Sequence, residues 1–174
     1  MSTRVIGLMS GTSLDGIDAA LVRFDGPLHD LAWSLEAFVS HAYDGVRREQ
    51  IQQAIEKGDA PSLCRLHARL GEWLAEAALA VCARAGVAPA AIDLIGSHGQ
   101  TVWHEPPTPD ERGATLQLGC AATIAERTGI DVVSDFRTRF ARFSRAAASS
   151  AASRTPAAST SSPPSPATST RART

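Results

Sequence analysis

The sequence holds a single lysine, one tyrosine and three cysteines, and it has no apolar run long enough to cross a membrane. Each shortage excludes something. A phosphate loop of the Gly-Lys-Ser/Thr kind needs a lysine directly after a glycine, but Lys57 precedes Gly58 and Asp59. Cys64, Cys82 and Cys120 are odd in number and at no framework spacing, which points to free thiols in a reducing compartment. The N-terminus lacks a basic stretch followed by an apolar one, so no leader is expected and the chain reads as cytoplasmic. Acids are missing from the last 35 residues, which carry five of the 17 basic groups and none of the 18 acidic ones, so residues 1–139 have a net charge of −6. An acidic segment of that kind argues against nucleic acid as a partner.

What is present begins with Ile6-Gly7-Leu8-Met9-Ser10-Gly11-Thr12-Ser13-Leu14-Asp15-Gly16-Ile17-Asp18. Val5 to Met9 is a near-continuous apolar run, as in a buried strand. A second strand starts at Ile17 and ends at Asp25-Gly26-Pro27, a turn signal. The connection, Gly11 to Gly16, is of hairpin length. Its glycines let a ligand approach the backbone, Thr12 and Ser13 offer hydroxyls, and a bent backbone can aim several N–H groups at one anion. Asp15 and Asp18 would lie near such an anion, where a carboxylate helps only with Mg²⁺ or water between. A tight hairpin without a ligand fits the same residues.

The periodicity predicts the rest in order. A third strand runs over Leu28–Val39, with Leu31, Trp33, Leu35, Ala37 and Val39 on one face. A helix over Val46–Lys57 is capped by Asp44 and stopped by Gly58. A longer helix over Pro61–Ala85 is capped by Asp59 and stopped by Gly86, and its Leu63, Leu66, Leu70, Trp73, Leu74, Ala77 and Val81 form a core stripe. A strand over Asp93–Val102 follows, parallel to the first, with a polar cluster at its C-terminal end and a turn at Trp103–Pro107. The last elements are a strand at Thr115–Gly119, a helix at Ala121–Thr128 and a strand over Ile130–Phe136. Cys64 and His67 stand at half of a zinc-site spacing, but no second pair completes it.

Three segments resemble the anhydro-N-acetylmuramic acid kinases: Gly7–Asp18, Ile95-Gly-Ser-His-Gly-Gln-Thr-Val-Trp-His-Glu-Pro106 and Ser134-Asp-Phe-Arg-Thr-Arg139. These are sugar kinases of the actin, Hsp70 and hexokinase-like superfamily. The resemblance implies an α/β, ribonuclease H-like N-terminal lobe: a mixed sheet flanked by helices. It makes Gly11, Thr12, Ser13, Leu14, Asp15, Gly16, Ile17 and Asp18 the ATP phosphate loop, with Asp15 or Asp18 orienting Mg²⁺ through water. It makes His98, Gln100 and Thr101 sugar ligands, and it sets Arg137 or Arg139 against the lactyl carboxylate of a muramic sugar. The reaction implied is hydrolytic opening of the 1,6-anhydro ring and transfer of the γ-phosphoryl of ATP to O6. The product is N-acetylmuramic acid 6-phosphate, in peptidoglycan recycling. The implied partners are ATP and an anhydro amino sugar, with no nucleic acid or membrane, and a homodimer where the second lobe is present.

The resemblance departs after Arg139. Residues 140–174 contain no glycine, acid or lysine and no aliphatic larger than alanine, so they cannot bury enough apolar surface to offset their ordering entropy. The expected division is therefore a lobe at 1–139 and a disordered low-complexity tail at 140–174. A frameshift explains a break inside a motif better than a natural tail does. The family's catalytic aspartate lies beyond the match, so no base is assigned. Two function classes follow: an ATP-dependent sugar kinase with little turnover in this form, or a non-catalytic binding lobe or fragment.

Overall fold

The computed structural model describes residues 2–108, 111 and 113–137, so Arg139 and the segment 140–174 lie outside it. β1 (Ser2–Ser10), β2 (Gly16–Asp25) and β3 (Ala32–Ala42) form an antiparallel meander. β3 starts later than the periodicity suggests. Asp25 and Gly26 are followed by a closed turn, with the Asp30 N–H donating to Pro27 O at 2.9 Å, and this takes up residues 27–30. Trp33 and Leu35 lie exposed at the far end, while Ala37 and Val39, past a register shift opposite Leu21 and Val22, pack on the core.

Both helices begin and end where local chemistry says they should. In α1 (Gly45–Lys57) the Asp44 carboxylate accepts the Arg47 N–H at 2.7 Å, and Gly58 ends the helix in the left-handed region. In α2 (Ala60–Ala85) Asp59 does the same for Ser62, and Gly86 is the left-handed cap. The α2 stripe is buried as its period predicts, with Leu70, Leu74, Ala77 and Val81 fully enclosed. Each large aliphatic side chain so enclosed contributes about 1.5–3 kcal/mol of transfer free energy.

α2 returns the chain to β4 (Leu94–Glu105), which lies parallel to β1 through Val5–Leu94 to Leu8–Ser97. At Gly99 (φ 72°) the strand kinks and changes partner. Beyond it β4 pairs antiparallel with β5 (Ala114–Leu118), from Gln100–Leu118 to Glu105–Ala114. That pairing converts the expected turn at 103–105 into strand. It also puts the polar cluster at the end of the parallel ladder, in the middle of β4. α3 (Ala121–Thr128) packs on α2, and β6 is confined to Val132–Val133 beside β4. The strand expected over 130–136 stops there, and Asp135 takes a left-handed backbone (φ 63°) just beyond.

The sheet order is β3-β2-β1-β4-β5, with β6 against the parallel part of β4. This is the mixed sheet with helices implied by the superfamily's first lobe. α2 covers one face, where Ile6, Leu8, Ile17, Leu21 and Ile95 point. The other face carries Met9, Phe38 and Phe136 in the open, so β1 alternates and is not buried on both sides as its apolar run suggests.

Candidate functional site

The loop between β1 and β2 is anchored by its carbonyls. Gly11 O accepts from Gln100 Nε2 at 2.8 Å, Leu14 O from Arg48 Nε at 3.1 Å, Asp15 O from the Tyr43 N–H at 3.0 Å and Gly16 O from Ser10 Oγ at 2.9 Å. With those oxygens turned to the protein, the surface left to solvent is that of Thr12, Ser13 and Asp15, all exposed. Leu14 occupies the left-handed region (φ 53°), a conformation costing about 1–2 kcal/mol for a residue with a Cβ. Its side chain packs on the core, which offsets that strain.

Gly16 and Ile17 are in the motif for the fold. A Cβ on Gly16 would stand 2.5 Å from His41 O, and Ile17 is fully buried. The two carboxylates are treated differently. Asp15 accepts the Ser13 hydroxyl at 2.7 Å; that bond, followed by the loop's own amides, holds its carboxyl below the usual range. Asp18 instead lines a groove on the open sheet face, about 330 Å³, together with Met9, Phe38, His98 and Phe136. The donors left over fit a nucleotide phosphate chain with its divalent cation: the Thr12 hydroxyl, and at Asp18 one hard carboxylate.

The second half of the site surrounds Gly99. A cavity of about 350 Å³ is lined by Ser97, His98, Gln117, Cys120, Ser134 and Asp135, among others. Ser97 is 1 % exposed, and its hydroxyl has no hydrogen-bond partner among the described residues. Such an orphan marks a place where an additional polar atom is wanted. His67, on α2, accepts the Gly119 N–H at Nδ1 (3.1 Å), which leaves its neutral-form proton on Nε2. His98 Nδ1 lies 3.2 Å from Gly99 O. The Cys120 thiol opens α3 and is pulled below its ordinary value by the Thr123 hydroxyl and by nearby amides.

Of the residues expected at the sugar, His98 is in this cavity. Gln100 and Thr101 are not available as expected: they are 0 % and 4 % exposed. The Gln100 amide donates to Gly11 O and to Thr101 O (3.0 Å) and accepts from Ser10 Oγ (2.7 Å), leaving it no donor for a sugar hydroxyl. Arg137 is half-buried and lines neither cavity. Cys120 and His98, a conceivable thiol–imidazole pair that nothing in the sequence brings together, both line the cavity around Gly99. Ser10, Tyr43, Arg48 and Ser97 are not read from the sequence as site residues, and of these only Ser10 and Ser97 carry a signal, as hydroxyls within otherwise recognisable motifs. The half zinc site gains no partner: among the described residues no three His, Cys, Asp or Glu side chains cluster as metal ligands. No described helix is long and apolar enough to cross a membrane.

The sequence model of the family described as "Anhydro-N-acetylmuramic acid kinase" matches residues 3–149, ten residues past Arg139. Among curated proteins, one of that name from Caldanaerobacter subterraneus subsp. tengcongensis is 45% identical over 141 residues, covering 78% of this chain and 36% of the relative. One from Salinibacter ruber is 47% identical over 139 residues, 76% of this chain and 35% of the relative. One from Synechococcus elongatus is 43% identical over 138 residues, 78% and 35%. The chain thus spans about a third of the length of the relatives it matches.

Proposed function

The chain belongs to the anhydro-N-acetylmuramic acid kinase family, and from that premise we propose that residues 2–137 supply the phosphate cradle and the sugar cavity of a kinase acting on 1,6-anhydro-N-acetylmuramic acid. The observation that carries this reading is the loop whose four carbonyls are tied inward, one of them to Gln100, which directly follows the Gly99 of a cavity holding an unpaired buried hydroxyl. Phosphoryl transfer depends on positioning and charge neutralisation, and this arrangement offers both. Thr12 presents its hydroxyl to the phosphates, while the Ser13 hydroxyl is committed to Asp15. Asp18 would hold the divalent cation, because it lines its groove while Asp15 is engaged by Ser13 and the loop amides. That cation would neutralise phosphate charge when bound.

On the sugar side, Ser97 and His98 meet ring substituents, and Ser134 and Asp135 line the same cavity. The lactyl carboxylate is assigned to Arg137, two residues past Asp135, on the chemistry of guanidinium and carboxylate alone. The reaction is water attack on the anomeric carbon, opening the anhydro bridge, with O6 receiving the γ-phosphoryl of ATP; its place is the recycling of cell-wall sugars in the cytoplasm. None of these residues is assigned as the base that activates the water.

Cys120 makes the sugar cavity testable in this chain. Anhydro-N-acetylmuramic acid should slow alkylation of Cys120 by iodoacetamide at least threefold, and leave exposed Cys64 unaffected. Equal rates at Cys120 with and without the sugar would remove the cavity from the site. ADP release on adding the sugar to the chain with Mg-ATP separates a turning-over kinase from a binding lobe.

A further inference from the structure

Gln100 belongs to the nucleotide side of the site. The residue is wholly buried on β4, directly after the Gly99 kink, and opposite Ser10 at the end of β1. Its orientation follows from its surroundings. Both Nε2 hydrogens face carbonyls, Gly11 O and Thr101 O, so a flipped amide would set oxygen against oxygen. Oε1 must then accept, and Ser10 Oγ, 2.7 Å away, is the donor. Ser10 has one proton, shared in a three-centre bond between Gln100 Oε1 and Gly16 O, so it must itself accept from the Tyr43 hydroxyl, which lies 2.9 Å away. Burial pushes the Tyr43 phenol up, which keeps it a donor at neutral pH. Donation therefore runs one way, from Tyr43 to Ser10 to Gln100 to Gly11.

This relay grips the loop at both ends. Gly11 O is held from Gln100. Asp15 O is held by the Tyr43 N–H, and Gly16 O lies 2.9 Å from Ser10 Oγ. Tyr43 is itself fixed edge-on against Trp73 of α2, which also has the Arg47 guanidinium 5.0 Å from its ring centre. A loop pinned in this way keeps its shape without a ligand, so binding an anion costs little further ordering. On the reading of the loop given above, we propose that Gln100 is a positioning residue that sets the phosphate cradle, acting on nucleotide affinity and not on the sugar.

The test uses the whole chain and three readouts: calorimetry with Mg-ATP, calorimetry with anhydro-N-acetylmuramic acid, and hydrogen exchange of amides 12–16. Gln100→Met keeps the length of the side chain and removes its donors. It should weaken Mg-ATP at least tenfold, leave sugar affinity within twofold, and speed loop exchange at least tenfold. Tyr43→Phe deletes only the head of the relay and keeps the ring contact with Trp73. It should move the same two readouts about threefold, which covers the case in which Gln100→Met does not fold. In Gln100→Glu, the neutral acid can donate one hydrogen bond and the carboxylate none, so Mg-ATP affinity should rise as pH falls. Weakened sugar binding with intact nucleotide binding would overturn the proposal, as would unchanged loop exchange in both Gln100→Met and Tyr43→Phe. Wild-type chain that binds no Mg-ATP would instead count against the cradle itself, while the exchange readout still decides whether the relay orders the loop.

Discussion

Two glycines of one motif should respond oppositely to alanine. A Cβ built on Gly16 meets His41 O at 2.5 Å and Ala42 Cα at 2.9 Å, both backbone atoms of the paired strand β3. Neither can swing aside, so the strands must part, at a cost of about 2–3 kcal/mol from overpacking. With a urea slope of about 1.5–2 kcal/mol per molar, Gly16→Ala should lower the unfolding midpoint by roughly 1–2 M. A Cβ on Gly11 meets only Ser13 Oγ at 3.7 Å, an ordinary contact, and Gly11 is not among the glycines with positive φ. Gly11→Ala should therefore hold its midpoint, with stability within about 0.5 kcal/mol of wild type. Its effect should fall on the ligand: a methyl group on the face that phosphates approach should weaken Mg-ATP about tenfold, close to 1.4 kcal/mol. The assays are urea denaturation followed by circular dichroism, and calorimetry with Mg-ATP. A stable Gly16→Ala protein would refute the packing argument. A Gly11→Ala protein that binds Mg-ATP as wild type does would refute the role given to the exposed loop face.

The remaining predictions concern charge and core. Asp15 has a folded value lowered by Ser13, so it stabilises the fold above its unfolded value of about 3.9, and that contribution is lost as pH falls through the lower folded value. Ser13→Ala should flatten the dependence of the urea midpoint on pH below about 4, and an unchanged slope would mean the Ser13–Asp15 bond is not formed in solution. Leu70, fully buried on α2, should cost about 2–5 kcal/mol on truncation to alanine, read as a lowered melting temperature, and a change below 1 kcal/mol would show that the helix does not cover the sheet as described.

Those core contacts were legible early because helix periodicity and capping are local. Asp44, Gly58, Asp59 and Gly86 could be read as caps from their immediate neighbours, and the α2 stripe from its three- and four-residue spacing. Strand limits were less legible, since a strand exists only where another pairs with it. Trp103–Glu105 became strand because β5 lies beside them, and Ser134–Phe136 did not because β6 reaches only Val133. The site divides along the same line. The bend between β1 and β2 could be found from its small residues, and His98 from its motif. The burial of Gln100 could not, for it depends on the Gly99 kink and on Ser10, ninety residues away in the chain. Nor could the orphan hydroxyl of Ser97, which depends on what α3 and β6 leave open.

The cradle itself is tested most directly by following the backbone amides of the chain by ¹⁵N NMR while Mg-ATP, and separately adenosine, are added. The inward-tied carbonyls predict that the Thr12 and Ser13 amides shift saturably with Mg-ATP and stay in place with adenosine. Saturable shifts elsewhere with Thr12 and Ser13 unmoved, or equal shifts with both compounds, would contradict it.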